Sequence, residues 1–224
     1  MNRGVWIGKK CDSQKGVLIF GESHYGDKND RPGCFVEFDT AGVIEEYFRH
    51  KQRKTSPANW DRFFDRIAGS FGYSKDNTEL FYDKIYFGNY IDKYCGIGDY
   101  TARSIISTDR KRLNTDLFQY INETHVTAVV CFSVLVYDNL PERNIDLETA
   151  GEVKVIGRIG NRWNYVRRFV YRPGIIYGGC DVILNDQLTV WAFRHPSAKS
   201  GYDEKQVFDE LSTSDIFNGI LSSD

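Results

Sequence analysis

Residues 21–26 read Gly-Glu-Ser-His-Tyr-Gly, so a carboxylate, a hydroxyl, an imidazole and a phenol sit between two glycines. Far along the chain, His195-Pro196-Ser197 forms a second polar string. Each follows an apolar run: Val-Leu-Ile-Phe at residues 17–20 and Val-Trp-Ala-Phe at residues 190–193. A carboxylate and an imidazole brought together can move protons and stabilise charge at a bond being broken. Ligands of α/β sheets bind beyond the carboxyl ends of the strands. The two loops therefore read as halves of one active site.

The elements that must position them follow from periodicity. Short apolar runs at 17–20, 84–89, 126–132 and 188–193 read as strands buried on both faces. Residues 40–50, 58–70, 113–123, 134–140 and 205–211 carry helical spacing, with Pro57 dividing the first two. β-branched and aromatic runs at 153–156, 165–171, 175–177 and 182–184 are punctuated by glycine and read as hairpins inserted before the last strand. Alternating strands and helices imply one three-layer α/β/α domain over residues 1–224. Its centre is a mostly parallel four-stranded sheet, and residues 144–188 are an inserted β-hairpin region.

Composition narrows the class. The chain has 224 residues, 41% hydrophobic and 27% charged, with a net charge of −2. That suits a soluble globular domain with a full core. No apolar stretch approaches the roughly 20 residues that span a bilayer, and the start lacks a signal-peptide core. A cytoplasmic monomer that does not engage membranes is expected. Five cysteines without Cys-x-x-Cys spacing argue for reduced thiols, with no metal and no cofactor. Basic residues cluster at 49–66 and at 158–172; such patches serve as a phosphate footprint or as ordinary solvated faces.

The order strand, Gly-Glu-Ser-His-Tyr-Gly, Phe35, strand, Asn89, two further strands, His-Pro-Ser resembles the uracil-DNA glycosylase superfamily. Gly21 and Tyr25 fall on that family's Gly and Tyr. Phe35 falls on its base-stacking aromatic, Asn89 on its base-reading Asn, and His195, Pro196 and Ser197 on its second motif. Two positions depart: Ser23 replaces the catalytic Asp, and Lys199 replaces the intercalating Leu. Glu22 is similar to the branch whose first motif begins Gly-Glu, but that branch's iron–sulfur ligand pattern is missing here.

The resemblance implies a monofunctional glycosylase that flips a base from DNA and hydrolyses its N-glycosidic bond. Such cleavage leaves cationic character on the sugar and negative charge on the departing base. His195 is then the group at the base oxygen, as neutral donor or imidazolium. Glu22 orients or activates water, with Asp27 as the alternative and Ser23 as a water-positioning hydroxyl. Tyr25, Phe35, Asn89 and His24 would form the base pocket. Ser197, Lys199 and Ser200 would meet the backbone. Arg162, Arg167 and Arg168, interleaved with aromatics, would meet DNA beside the site.

The altered water and wedge positions favour a modified pyrimidine over uracil. The chain resembles, more loosely, phage-defence glycosylases that excise glucosylated hydroxymethylcytosine. Plain uracil excision, a non-catalytic sensor of modified DNA or nucleotides, and an unrelated hydrolase built on Ser23 are the alternatives.

Overall fold

Four of the apolar runs lie side by side as parallel strands, the arrangement expected when both faces of each strand must be covered. A computed structural model describes residues 4–11, 16–23, 40–53, 60–93, 95, 99–142, 152–197 and 202–214. Within them β2 (Val17–Gly21) pairs in parallel with β3 (Tyr86–Asn89) on one side and β4 (Ala128–Cys131) on the other. β4 in turn pairs in parallel with β7 (Leu188–Ala192). The two-residue β1 (Trp6–Ile7) adds an antiparallel edge to β3.

The expected four-stranded sheet is larger and mixed. The hairpin β5 (Glu152–Ile159) and β6 (Arg162–Tyr171) is not a separate insert, because β6 pairs antiparallel with β7. The sheet therefore has seven strands in the order β1-β3-β2-β4-β7-β6-β5. Residues 175–177 and 182–184 form no strands. Their segment docks on a helix instead, where Asn122 Nδ2 donates to the Ile183 carbonyl and accepts through Oδ1 from Asn185 N–H, at 2.8 and 2.9 Å. Side chains thus satisfy a backbone that the pattern alone assigned to a ladder.

Helices cover both faces. On one face α1 (Thr40–Arg53), α2 (Asp61–Gly69), α3 (Thr78–Tyr82) and α6 (Glu204–Leu211) pack on Val17, Ile19, Val130 and Trp191. Tyr47, Phe64, Phe81 and Tyr82 dominate this layer, which accounts for much of the aromatic content. On the other face α4 (Asp99–Thr124) and α5 (Val134–Tyr137) pack on Leu18, Phe20, Val129 and Val190. α4 begins well before the expected residue 113. The polar run 107–112 hid its first half, but those charges have partners. Arg112 grips both oxygens of Asp92 at 2.9 and 3.0 Å and also reaches Asp109 and Asp116. Among the described residues no helix is long and apolar enough to cross a membrane.

This cluster pins the connection from β3 into α4. Burial alone would raise the Asp92 carboxyl, but Arg112 outweighs it and holds the group below its ordinary value. A depressed folded value means stability is present above the unfolded carboxylate range, near pH ~4, and is lost as pH falls. Urea unfolding should show stability declining on acidification through that range, with a shallower decline in Asp92→Asn. Parallel pH profiles for the two proteins would contradict this account.

Candidate active site at the strand ends

The chain leaves β2 towards β3 on one side, and it leaves β4 towards β7 on the other. Between two such strands the loops diverge and open a crevice, the usual ligand position in a parallel sheet. Glu22 follows β2 and Ser133 follows β4 at this point. Strand alternation puts both on the α4–α5 face, since Phe20 and Cys131 point there. Ser133 Oγ donates to a Glu22 carboxylate oxygen at 2.7 Å. The same hydroxyl accepts from Val136 N–H and caps α5. Glu22 is buried, and its own carbonyl accepts from Ile91 N–H at 3.0 Å. Its negative charge also helps hold the buried Cys131 and Cys95 thiols in their protonated forms, burial being the larger cause.

The opposite face carries Asn89 and His195. Asn89 is in register with Gly21. A Cβ on Gly21 would lie 2.7 Å from Asn89 Oδ1 and 3.4 Å from the Phe63 ring, so glycine lets both side chains cross the strand end. Phe63 then stacks on His195, with centroids 5.0 Å apart and planes 25° apart. His195 Nδ1 accepts from Ser197 N–H at 3.2 Å. An accepting Nδ1 leaves Nε2 as the ring nitrogen that can donate.

Arg66 of α2 holds the His195 loop. Its guanidinium donates to the Pro196 carbonyl, to the Tyr202 carbonyl at 3.0 Å and to Glu204 Oε1 at 2.8 Å. It also stacks on the Tyr202 ring at 4.6 Å. Half of the basic cluster at 49–66, namely Arg49, Lys51 and Arg66, is paired within the protein. Arg49 pairs with Glu45 and Glu46, and Lys51 pairs with Asp65.

Glu22 and His195 line one cleft of about 790 Å³, together with Ser133, Arg194 and Ser197. Arg103 of α4 closes one side, and Val153, Tyr165 and Arg167 of the hairpin form another. Arg167 pairs with Asp138 and lies over the Tyr137 ring. Arg103 and Arg194 add two guanidinium groups to the cleft lining.

The structure brings together Glu22, His195, Ser197 and Arg167. Asn89 stands beside the cleft behind Gly21, its Nδ2 donating to Thr40 Oγ1 at 3.5 Å. Ser23 turns away from the cleft. Its buried hydroxyl sits beside the Cys95 thiol, which burial pushes up to about 11. Arg168 projects from the other side of β6 and covers the Trp191 ring at 5.2 Å. Arg162 opens β6, and its side chain lies outside the description. Asp27, His24, Tyr25, Phe35, Lys199 and Ser200 lie outside the described residues.

Sequence reasoning missed Arg103, Ser133, Tyr165 and Arg194. Ser133 was findable, since a serine between a buried strand and a short apolar run is a natural helix cap. Arg194 adjoins His195, but nothing local marks which way it points. Arg103 sits in the half of α4 that the polar run concealed.

No protein-family model matches the chain, and no curated protein matches it.

Removing the Arg66 clamp should loosen the His195 loop. Arg66→Ala is expected to cost about 1–3 kcal/mol by stranding its carbonyl and carboxylate partners. Arg66→Lys, a point charge without the planar fork, should recover only part of that. Urea unfolding of both variants, with proteolytic nicking near residue 196 as the local readout, checks this; wild-type behaviour in Arg66→Ala would refute the clamp.

Proposed function

We propose that this chain is a DNA glycosylase that accepts a flipped, modified pyrimidine and hydrolyses its N-glycosidic bond. The observation that carries the reading is the meeting of Glu22 and His195 on the wall of one cleft at the switch point of the sheet. They come from loops separated by most of the chain, and their chemistry is complementary.

In the proposed reaction His195 donates from Nε2 to the base oxygen as negative charge grows there. Glu22, aimed by Ser133, faces the sugar. Water adds at C1′ and its proton passes to the Glu22 carboxylate. The C1′–N bond breaks, and its electron pair leaves with the base. An Nε2–H donor suits this task, since it meets the growing charge without transferring its proton. Asn89 is placed to read a base edge if the base reaches past Gly21.

Two features favour a bulky base over plain uracil. The cleft volume falls in the upper part of the range for pockets holding ligands of drug size, about 300–1,000 Å³, which exceeds the need of a bare pyrimidine. The hairpin wall, with Val153, Tyr165 and Arg167, widens the site where a substituent would extend. Arg103 and Arg194 supply positive charge suited to the phosphates beside a flipped nucleotide.

Purified protein should release base from a duplex carrying glucosylated hydroxymethylcytosine faster than from duplexes carrying uracil or unmodified cytosine, scored as abasic sites after alkaline cleavage. Glu22→Gln and His195→Ala should each lower the rate about 10²–10³-fold. Ser133→Ala should lower it less, because the carboxylate remains. A wild-type rate in either of the first two variants removes the assigned chemistry. Tight binding of the modified duplex with no base release would mark a sensor instead.

A further inference from the structure

The hairpin has two unlike faces. One is packed against α6. There Asn164 Nδ2 donates to Gln206 Oε1 at 3.2 Å, Lys154 pairs with Glu210 at 2.7 Å, and Val166 is buried in the core. The other face carries Val153, Val155, Trp163 and Tyr165, which are 60, 48, 51 and 37% exposed. Val155 opposes Tyr165 across the ladder, Val153 opposes Arg167, and Arg158 opposes Trp163. Its inner end, at Val153, Tyr165 and Arg167, is the cleft wall. Its outer end is Trp163 with the Arg158 guanidinium 5.3 Å above the ring. An apolar strip of this kind on an otherwise charged surface marks an interaction site.

Charge narrows the partner. On this face Arg158 stands over Trp163, and Arg167, paired with Asp138, lines the cleft. Arg103 and Arg194 extend the positive field to the cleft. The partner must then be anionic and must also offer flat apolar faces to an exposed indole and phenol. A duplex presents phosphates and base edges but hides its base faces in the stack. An unpaired strand presents both phosphates and faces, and aromatic rings interleaved with arginine are suited to it. Trp163 and Tyr165 are two residues apart on one strand, so their attachment points are about 7 Å apart. At that spacing each ring can take its own base.

We infer that the outer face of the β5–β6 hairpin binds unpaired DNA that continues from the nucleotide held in the cleft, with Trp163 as a stacking platform and Arg158 as its cation. The enzyme then prefers targets in single-stranded or locally opened DNA. This rests on the base-excision reading for what the cleft holds, while the platform itself is testable without catalysis.

The test is fluorescence anisotropy of full-length protein with labelled oligothymidylate, single-stranded and annealed to its complement. Binding to the single strand should exceed binding to the duplex. Trp163→Ala should weaken single-strand binding about tenfold, Arg158→Glu should weaken it and flatten its salt dependence, and Trp163→Phe should restore most of the affinity. The Phe variant also separates loss of the ring from loss of folding. Equal or tighter duplex binding, or Trp163→Ala binding unchanged, overturns the inference. So does a Trp163-dependent dimer formed without DNA, which would assign the face to a second copy. Base release with an indifferent Trp163→Ala removes the platform and leaves the glycosylase reading intact. Trp163-dependent single-strand binding without base release in any substrate keeps the platform and removes that reading.

Discussion

A carboxylate buried between two strand ends is the constraint around which this molecule is arranged. Leaving Glu22 inside the protein costs several kcal/mol unless its charge is met by hydrogen bonds. Ser133 supplies one, and it reaches Glu22 only because β2 and β4 run parallel in a single register, with Phe20 opposite Cys131. A one-residue slip would turn one of the two side chains to the opposite face of the sheet. The same hydroxyl also closes the first turn of α5, so strand register, helix start and carboxylate direction are settled together.

The other half of the site is held by different means. His195 lies on a loop whose shape is fixed by Arg66, reaching from α2 to two carbonyls and a carboxylate. Phe63 of the same helix stacks on the imidazole. α2 therefore both aims the ring and anchors the chain that carries it. The cleft joins a carboxylate positioned by one helical layer with an imidazole positioned by the other. The hairpin, an extension of the sheet beyond β7, adds a wall that belongs to neither layer.

The parallel core was legible because buried strands announce themselves as unbroken apolar runs, and residues 17–20, 126–132 and 188–193 do so plainly. The pairing of the two polar loops followed from their place after such runs. What stayed hidden depends on distant partners. The first half of α4 reads as a polar loop until Asp92 and Lys93 are seen to neutralise it. Residues 175–177 and 182–184 look like strands by composition, yet backbone groups of their segment, at Asp181 and Ile183, bond side chains of α4. Arg66 looks like surface charge, and only the fold shows that it braces the His195 loop. Ser23 reads as a water-positioning hydroxyl beside Glu22, but its hydroxyl faces Cys95.

The hydrogen bond from Ser197 N–H to His195 Nδ1 makes the main chain the keeper of the ring's proton inventory. A peptide amide does not titrate, so the tautomer is set by chain geometry and not by a second acid. Any residue that retains its N–H at position 197 preserves this setting. Proline would erase it, and a doubly protonated ring would lose this bond while Arg66 still held the loop.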